Sequence, residues 1–321
     1  MNNTTDSGQS IGVVGLGLLG RGIAACLLAR GYRVIAVDRE SEKIEAARPP
    51  LAQMIEELIA NGDSPTSLRD DWPQRWQAGT HFEPLRECEL VIESVTEALP
   101  SKQQVFERIE AVVSAECHLA SNTSAIPISV LQQQRRHPQR MVGMHWAEPA
   151  HATRFLELIR GELTSEETLQ YVERFGRQLG KDPVICQKDV PGFIVNRIAY
   201  AMYREALHLV ESGVADIETI DRSLRNTLGL WAASCGPFRW IDLTGGPMLY
   251  ERAMQRVLPT LCRDTQPSAL MQRMSEECRR GIINGRGFYT YTPEEIRVWE
   301  DRQRRHVWRV KQWLDQEFPL E

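Results

Sequence analysis

Short apolar runs alternate with longer amphipathic stretches along the first 190 residues, and the remainder is amphipathic at helical spacing almost throughout. Residues 11–15 read as a strand, 19–29 as a helix closed at Gly31, and 33–37 as a second strand ending in Asp38. Residues 41–77 are polar and helical but interrupted by Pro49-Pro50, Asn61-Gly62, Pro65 and Pro73, which predicts two or three short helices. Strand patterns return at 79–82, 90–93, 118–120, 141–144, 155–159 and 182–187, with helices predicted after Pro100, after Pro127 and over 165–179. Strands alternating with helices predict an α/β doubly wound, mostly parallel sheet. Lys188-Asp189-Val190-Pro191-Gly192 breaks the pattern. We therefore expect a Rossmann-type domain over 1–189 and an all-α domain over 190–321. Helices in the second are expected over 193–211, 216–228, 248–258, 267–280 and 293–318, the last carrying Trp299, Trp308 and Trp313.

Composition changes this picture little. Among 321 residues, 42% are hydrophobic and 25% charged, which is the profile of a globular protein with a full core. A net charge of −5 without any basic run argues against a nucleic-acid partner. No run of apolar residues is long enough to span a membrane. Seven cysteines without a CxxC pair, together with a polar N-terminus, point to a reducing cytoplasm.

Chemistry enters with Gly15-Leu16-Gly17-Leu18-Leu19-Gly20, which sits between a strand and a helix, with Asp38 ending the next strand. This is the context a dinucleotide turn requires. One glycine makes the turn, one admits the pyrophosphate, one lets helix and strand pack, and the acid takes the ribose hydroxyls. Asp38 would repel a 2′-phosphate, so the expected cofactor is NAD; the neighbouring Arg39 reads as a solvated residue. Glu97, Asn122, Ser124 and His145 fall just past strand ends, where such sheets bind ligands. Residues 141–144 and 155–159 flank a polar loop, and a fold-back symmetric about His151 sets His145 opposite Glu157. From these residues alone a structural ion pair is the simpler reading. Ser124 could equally cap a helix, and Asn196 could satisfy backbone groups near the start of one. His145, Glu148 and His151 do not form a metal motif, because Pro149 breaks the helix that would align them.

Assembled, these segments resemble the 3-hydroxyacyl-CoA dehydrogenase family over about residues 11–291. The likeness rests on Gly15-x-Gly17-x-x-Gly20, Glu93-Ser94-Val95-x-Glu97, Ser121-Asn122-Thr123-Ser124, Gly143-Met144-His145, Pro191-Gly192-Phe193-Ile194-Val195-Asn196-Arg197, Gly236-Pro237-Phe238 and Gly285-x-Gly287-Phe288-Tyr289. Length and helical tail are most similar to the branch acting on free hydroxy acids such as gulonate. The resemblance implies NAD as cofactor and hydride transfer at a secondary alcohol. It also implies His145 as general base oriented by Glu157, with Ser124 and Asn196 on the reacting oxygen. Glu97 and Lys102 would lie on the nicotinamide-ribose side, with Asn122 among the cofactor contacts, and the chain would form a homodimer. The implied substrate is first an L-3-hydroxyacyl-CoA, alternatively a small free 3-hydroxy acid, gulonate- or carnitine-like. A non-catalytic NAD-binding structural protein is the reading from another class. Two departures bear on the choice. The family's His-Phe-Phe-Asn-Pro is here His145-Trp146-Ala147-Glu148-Pro149, and no lysine occurs between Arg48 and Ser101, where CoA-using members carry them.

Overall fold

The computed structural model describes residues 8–320 and divides into two compact units, one running to Asn196 and the other Arg197–Pro319. The first unit is built on eight strands: β1 (Ser10–Val14), β2 (Arg33–Val37), β3 (Trp76–Gly79), β4 (Cys88–Glu93), β5 (His118–Ser121), β6 (Met141–Trp146), β7 (Phe155–Ile159) and β8 (Asp182–Cys186). They form one sheet in the order β3-β2-β1-β4-β5-β6-β7-β8. β1 through β6 are parallel; β7 pairs antiparallel with β6, and β8 follows β7 in parallel. The expected doubly wound, mostly parallel sheet is therefore the observed one, and its last two strands run opposite to the rest. β1 and β4 read as nearly continuous apolar runs because helices cover both faces of a parallel sheet.

Helices α1 (Leu18–Ala29), α2 (Ser41–Ala60), α3 (Leu68–Arg75), α4 (Leu99–Glu110), α5 (Ile128–Gln132) and α6 (Glu166–Gln178) complete this unit, and α7 (Val195–Glu211) starts within it. Two expectations need correction. Pro49 and Pro50 do not break the 41–60 segment, which is one helix. Its lower face buries Leu51, Met54, Ile55 and Leu58, and this apolar packing outweighs the donors the prolines remove. The strand expected over 79–82 instead ends at Gly79, since Glu83–Glu87 closes into a 3₁₀ turn with Pro84 at its start.

The second unit holds the rest of α7, then α8 (Ile217–Asn226), α9 (Leu228–Trp231), α10 (Gly236–Leu243), α11 (Gly246–Val257), α12 (Ala269–Glu276) and α13 (Pro293–Glu317). Asp216 caps α8 by accepting from the Thr219 amide. Thr292 and Glu295 form a reciprocal capping box on α13. The helix expected over 267–280 is shorter, ending at Glu276. Among the described residues of this unit, only Cys262 and Trp308 are buried apolar side chains, while Phe238 is 82% exposed and Leu230 74%.

Candidate active site

The glycine turn lies between β1 and α1. Gly15 has φ of +97°, and a Cβ there would stand 2.6 Å from the Ser94 carbonyl oxygen, so both conformation and space demand glycine. A Cβ on Gly20 would overlap the Gly15 carbonyl oxygen at 1.9 Å; its absence lets α1 start tight against the turn. At Gly17, by contrast, a Cβ would meet nothing within 4 Å. The space above the N-terminus of α1 is thus clear, and its backbone N–H groups favour an anion there. Leu16 is buried and Leu18 is 54% exposed. Asp38 receives the Leu16 amide on one carboxylate oxygen at 2.8 Å and the Arg39 amide on the other at 2.7 Å. This holds its carboxylate beside the turn, where a ribose would lie. Arg39 points away and pairs with Glu40. The residues present fit a dinucleotide with unphosphorylated ribose.

Two carboxylates organise the ends of β4 and β5. Glu93 is fully buried; it takes the Val95 amide at 2.7 Å, the Ser121 hydroxyl at 2.6 Å and the Lys102 ammonium at 2.7 Å. Glu97 accepts from the Thr123 hydroxyl at 2.6 Å and from the Ser124 and Ala125 amides at 2.9 and 3.0 Å, with Lys102 3.3 Å away. Desolvation would raise the Glu97 carboxyl, but these hydrogen bonds and Lys102 together hold it below its ordinary range. Lys102 is completely enclosed and engaged by both acids. Its observed contacts are therefore structural; it fixes the two carboxylates from behind. Asn122 is also spoken for, since its amide donates to the Ser94 hydroxyl and its oxygen accepts from the Trp146 amide at 2.9 Å. It braces β5 against β6.

The strand pair that sequence symmetry suggested is present, with His145 directly opposite Glu157. His145 Nδ1 lies 2.9 Å from Glu157 Oε2; the histidine is 6% exposed and the glutamate 0%. Phe155 and Phe193 meet the imidazole at ring-centroid distances of 5.7 and 5.9 Å. The second Glu157 oxygen accepts the Ile194 amide at 2.8 Å and the Val195 amide at 3.2 Å, so the same carboxylate caps the N-terminus of α7. No alternation argument reveals this second role, because its donors lie 37 and 38 residues away and are backbone. Asn196 follows at once, and its side chain donates to the Ser124 carbonyl at 3.0 Å. Ser124, Asn196, His145 and Glu157 are thereby brought into one hydrogen-bonded neighbourhood. With Nδ1 committed to Glu157, Nε2 makes no hydrogen bond to any described residue. Glu148 is solvent-facing; desolvation pushes its carboxyl up, opposed by His151 and Arg21. His151 is buried against Glu57 at 3.0 Å. Among the described residues no cluster of His, Cys, Asp and Glu suits a metal, and no helix is long and apolar enough to cross a membrane.

A glycine turn made for a dinucleotide, an acid at the end of β2, and strand ends carrying a histidine–carboxylate pair define an NAD-dependent dehydrogenase. The chain belongs to the 3-hydroxyacyl-CoA dehydrogenase family: the profile for the NAD binding domain matches residues 10–190 and that for the C-terminal domain matches 192–291. It is 32% identical over 312 residues to 5-formyl-3-hydroxy-2-methylpyridine 4-carboxylate 5-dehydrogenase of Mesorhizobium japonicum, covering 96% of this chain and 98% of that one. A crystal structure of that enzyme activity, described as an NAD+ dependent dismutase, superposes with a TM-score of 0.89 at 32% identity, again over 96% and 98% of the two chains. The 3-hydroxybutyryl-CoA dehydrogenase of Mycobacterium tuberculosis is 32% identical over 289 residues, 89% of this chain and 100% of its own. The structure of (S)-3-hydroxybutyryl-CoA dehydrogenase from Ralstonia eutropha gives a TM-score of 0.73 at 32% identity, over 88% and 99%.

Proposed function

We propose that this enzyme oxidises a hydroxyl group on a small free acid, with His145 as general base. The observation that carries the chemistry is the His145–Glu157 pair: a buried carboxylate receiving Nδ1–H leaves Nε2 as an unshared lone pair. Nε2 would take the hydroxyl proton, a role worth roughly 10²–10⁴-fold in rate. Glu157 holds the tautomer and stabilises the imidazolium. Ser124 and Asn196 would orient the reacting oxygen. When bound, NAD supplies the hydride acceptor. The protein's part is to hold the proton acceptor, exclude water and keep the α1 N-terminus open to the pyrophosphate.

The free-acid reading is favoured by the absence of lysine between Arg48 and Ser101, where the arginines of α2 and α3 are engaged within the protein: Arg48 lies over Trp72, Arg69 pairs with Glu56 and Arg75 donates to the Leu28 carbonyl. It is also favoured by the relative named for a pyridine carboxylate, which shares nearly the whole chain with this one, tail included. The CoA-thioester reading rests on the family and on the hydroxybutyryl-CoA relatives, which match 89% of this chain. Steady-state assays with NADH should show reduction of free acetoacetate or a free pyridine aldehyde acid in preference to acetoacetyl-CoA. A higher kcat/KM for acetoacetyl-CoA would reverse the assignment.

The helical unit also supports a homodimer. A unit of this size normally buries well over half its surface, yet Phe238, Leu230, Met248 and Leu243 are all more than two-thirds exposed. A second copy would complete that core. Analytical ultracentrifugation should give a dimer, and Phe238→Asp should shift it toward monomer; a monomeric wild type would refute this.

A further inference from the structure

Lys181 is 3% exposed and lies in none of the contacts that build the catalytic pair. It follows Gly180, whose φ of +74° ends α6, and it precedes β8. Its ammonium reaches back across the sheet to the 147–154 turn that joins β6 to β7. There it donates to the Ala150 carbonyl at 2.6 Å and to the Thr153 carbonyl at 2.5 Å, while standing 5.2 Å from the centre of the Trp146 ring. Its hydrogen-bonding partners are backbone oxygens and the Cys26 thiol, which itself donates to Ala150 O at 3.3 Å. Burial accordingly lowers the ammonium below its ordinary range. A lysine buried this completely is costly unless every donor is used.

The turn it grips is a single helical one, with the Ala152 and Thr153 amides both bonded to the Pro149 carbonyl. Its trailing carbonyls carry the negative end of the local dipole, which an ammonium caps well. The same turn touches two other elements. A Cβ on Gly22 would come within 2.9 Å of the Ala150 Cβ, so α1 packs directly on it, and His151 anchors it to Glu57 of α2. The turn is therefore a physical link between α1, which presents the cofactor, and β6, which presents His145.

The geometry points to Lys181 as a positioning residue that sets the distance between the dinucleotide turn and His145 by clamping the 147–154 turn through its two carbonyls. It rests on the reading of His145 as base, but the clamp itself is testable without turnover. Removing the clamp leaves NAD its phosphate and ribose contacts, whereas misplacing reacting groups by about 1 Å costs on the order of 10²-fold in rate. The experiment compares wild type with Lys181→Met and with Lys181→Gln, the second being neutral yet able to donate to both carbonyls and so to keep the fold. Amide hydrogen exchange over 147–156 is read alongside NADH binding by fluorescence. Where the wild type reduces acetoacetate or acetoacetyl-CoA, kcat per NADH-binding site is read as well. Exchange in the turn should accelerate at least about tenfold in Lys181→Met, with NADH Kd within about threefold of wild type. The kcat should fall at least about tenfold in Lys181→Met while KM moves little, and Lys181→Gln, which can still donate to both carbonyls, should recover part of the loss. Unchanged exchange in the turn would overturn the clamp whatever the activity. A lower Tm with unchanged kcat per site in Lys181→Met would reduce Lys181 to a structural residue. A His145→Gln enzyme as active as wild type would instead sink the base assignment and leave the exchange result standing.

Discussion

Replacing Glu157 with Gln changes one atom and tests how the pair works. The carboxylate now serves both His145 Nδ1 and the Ile194 and Val195 amides. A Gln has one oxygen, and the two amides at the start of α7 compete strongly for it. The NH₂ group is then left facing Nδ1, which must become the acceptor, so the proton moves to Nε2 and the base is occupied. Loss of a charge-assisted hydrogen bond alone is worth about 1.5–3 kcal/mol, or roughly 10- to 150-fold in rate. Locking the wrong tautomer takes the expected loss toward about 10⁴-fold, as in other histidine–carboxylate pairs. Stability should change far less, because the helix cap survives. The assay is kcat/KM with the substrate the wild type turns over, normalised to NADH-binding sites, together with a thermal melt. Activity within about threefold of wild type would refute the tautomer argument.

Lys102→Met should destabilise the fold by about 3–5 kcal/mol, since it strands the fully buried Glu93; a loss of unfolding free energy under about 1 kcal/mol in urea melts would contradict that. Glu97 has a depressed carboxyl, so its contribution to stability is complete above the ordinary carboxylate range and is lost as pH falls through the lower folded value. The difference in urea stability between wild type and Glu97→Gln should therefore be full at about pH 6 and shrink as pH falls below the ordinary carboxylate range; a gap that widens toward acid would be wrong in sign.

Much of this was legible in the chain because its signals are local. The turn from Gly15 to Gly20 and Asp38 declares itself through spacing, and the His145–Glu157 register follows from strand alternation. What escaped was set by tertiary packing. The Pro49-Pro50 pair reads as a break until the buried face of α2 is seen. Lys102, expected on the nicotinamide-ribose side, is also buried between Glu93 and Glu97 with its ammonium engaged by both, a pairing that no local pattern announces. The second bond of Glu157, to backbone amides of α7, and the grip of Lys181 on the 147–154 turn carry no residue pattern at all, because their partners are main-chain atoms.

The central claim is that His145 accepts the proton that leaves with the hydride. Stopped-flow single turnovers with enzyme in excess, following NADH absorbance for wild type and His145→Gln, test it most directly. The account predicts NADH binding within about threefold of wild type and a hydride-transfer rate reduced by about 10²–10⁴-fold. A His145→Gln enzyme that transfers hydride at the wild-type rate would contradict it.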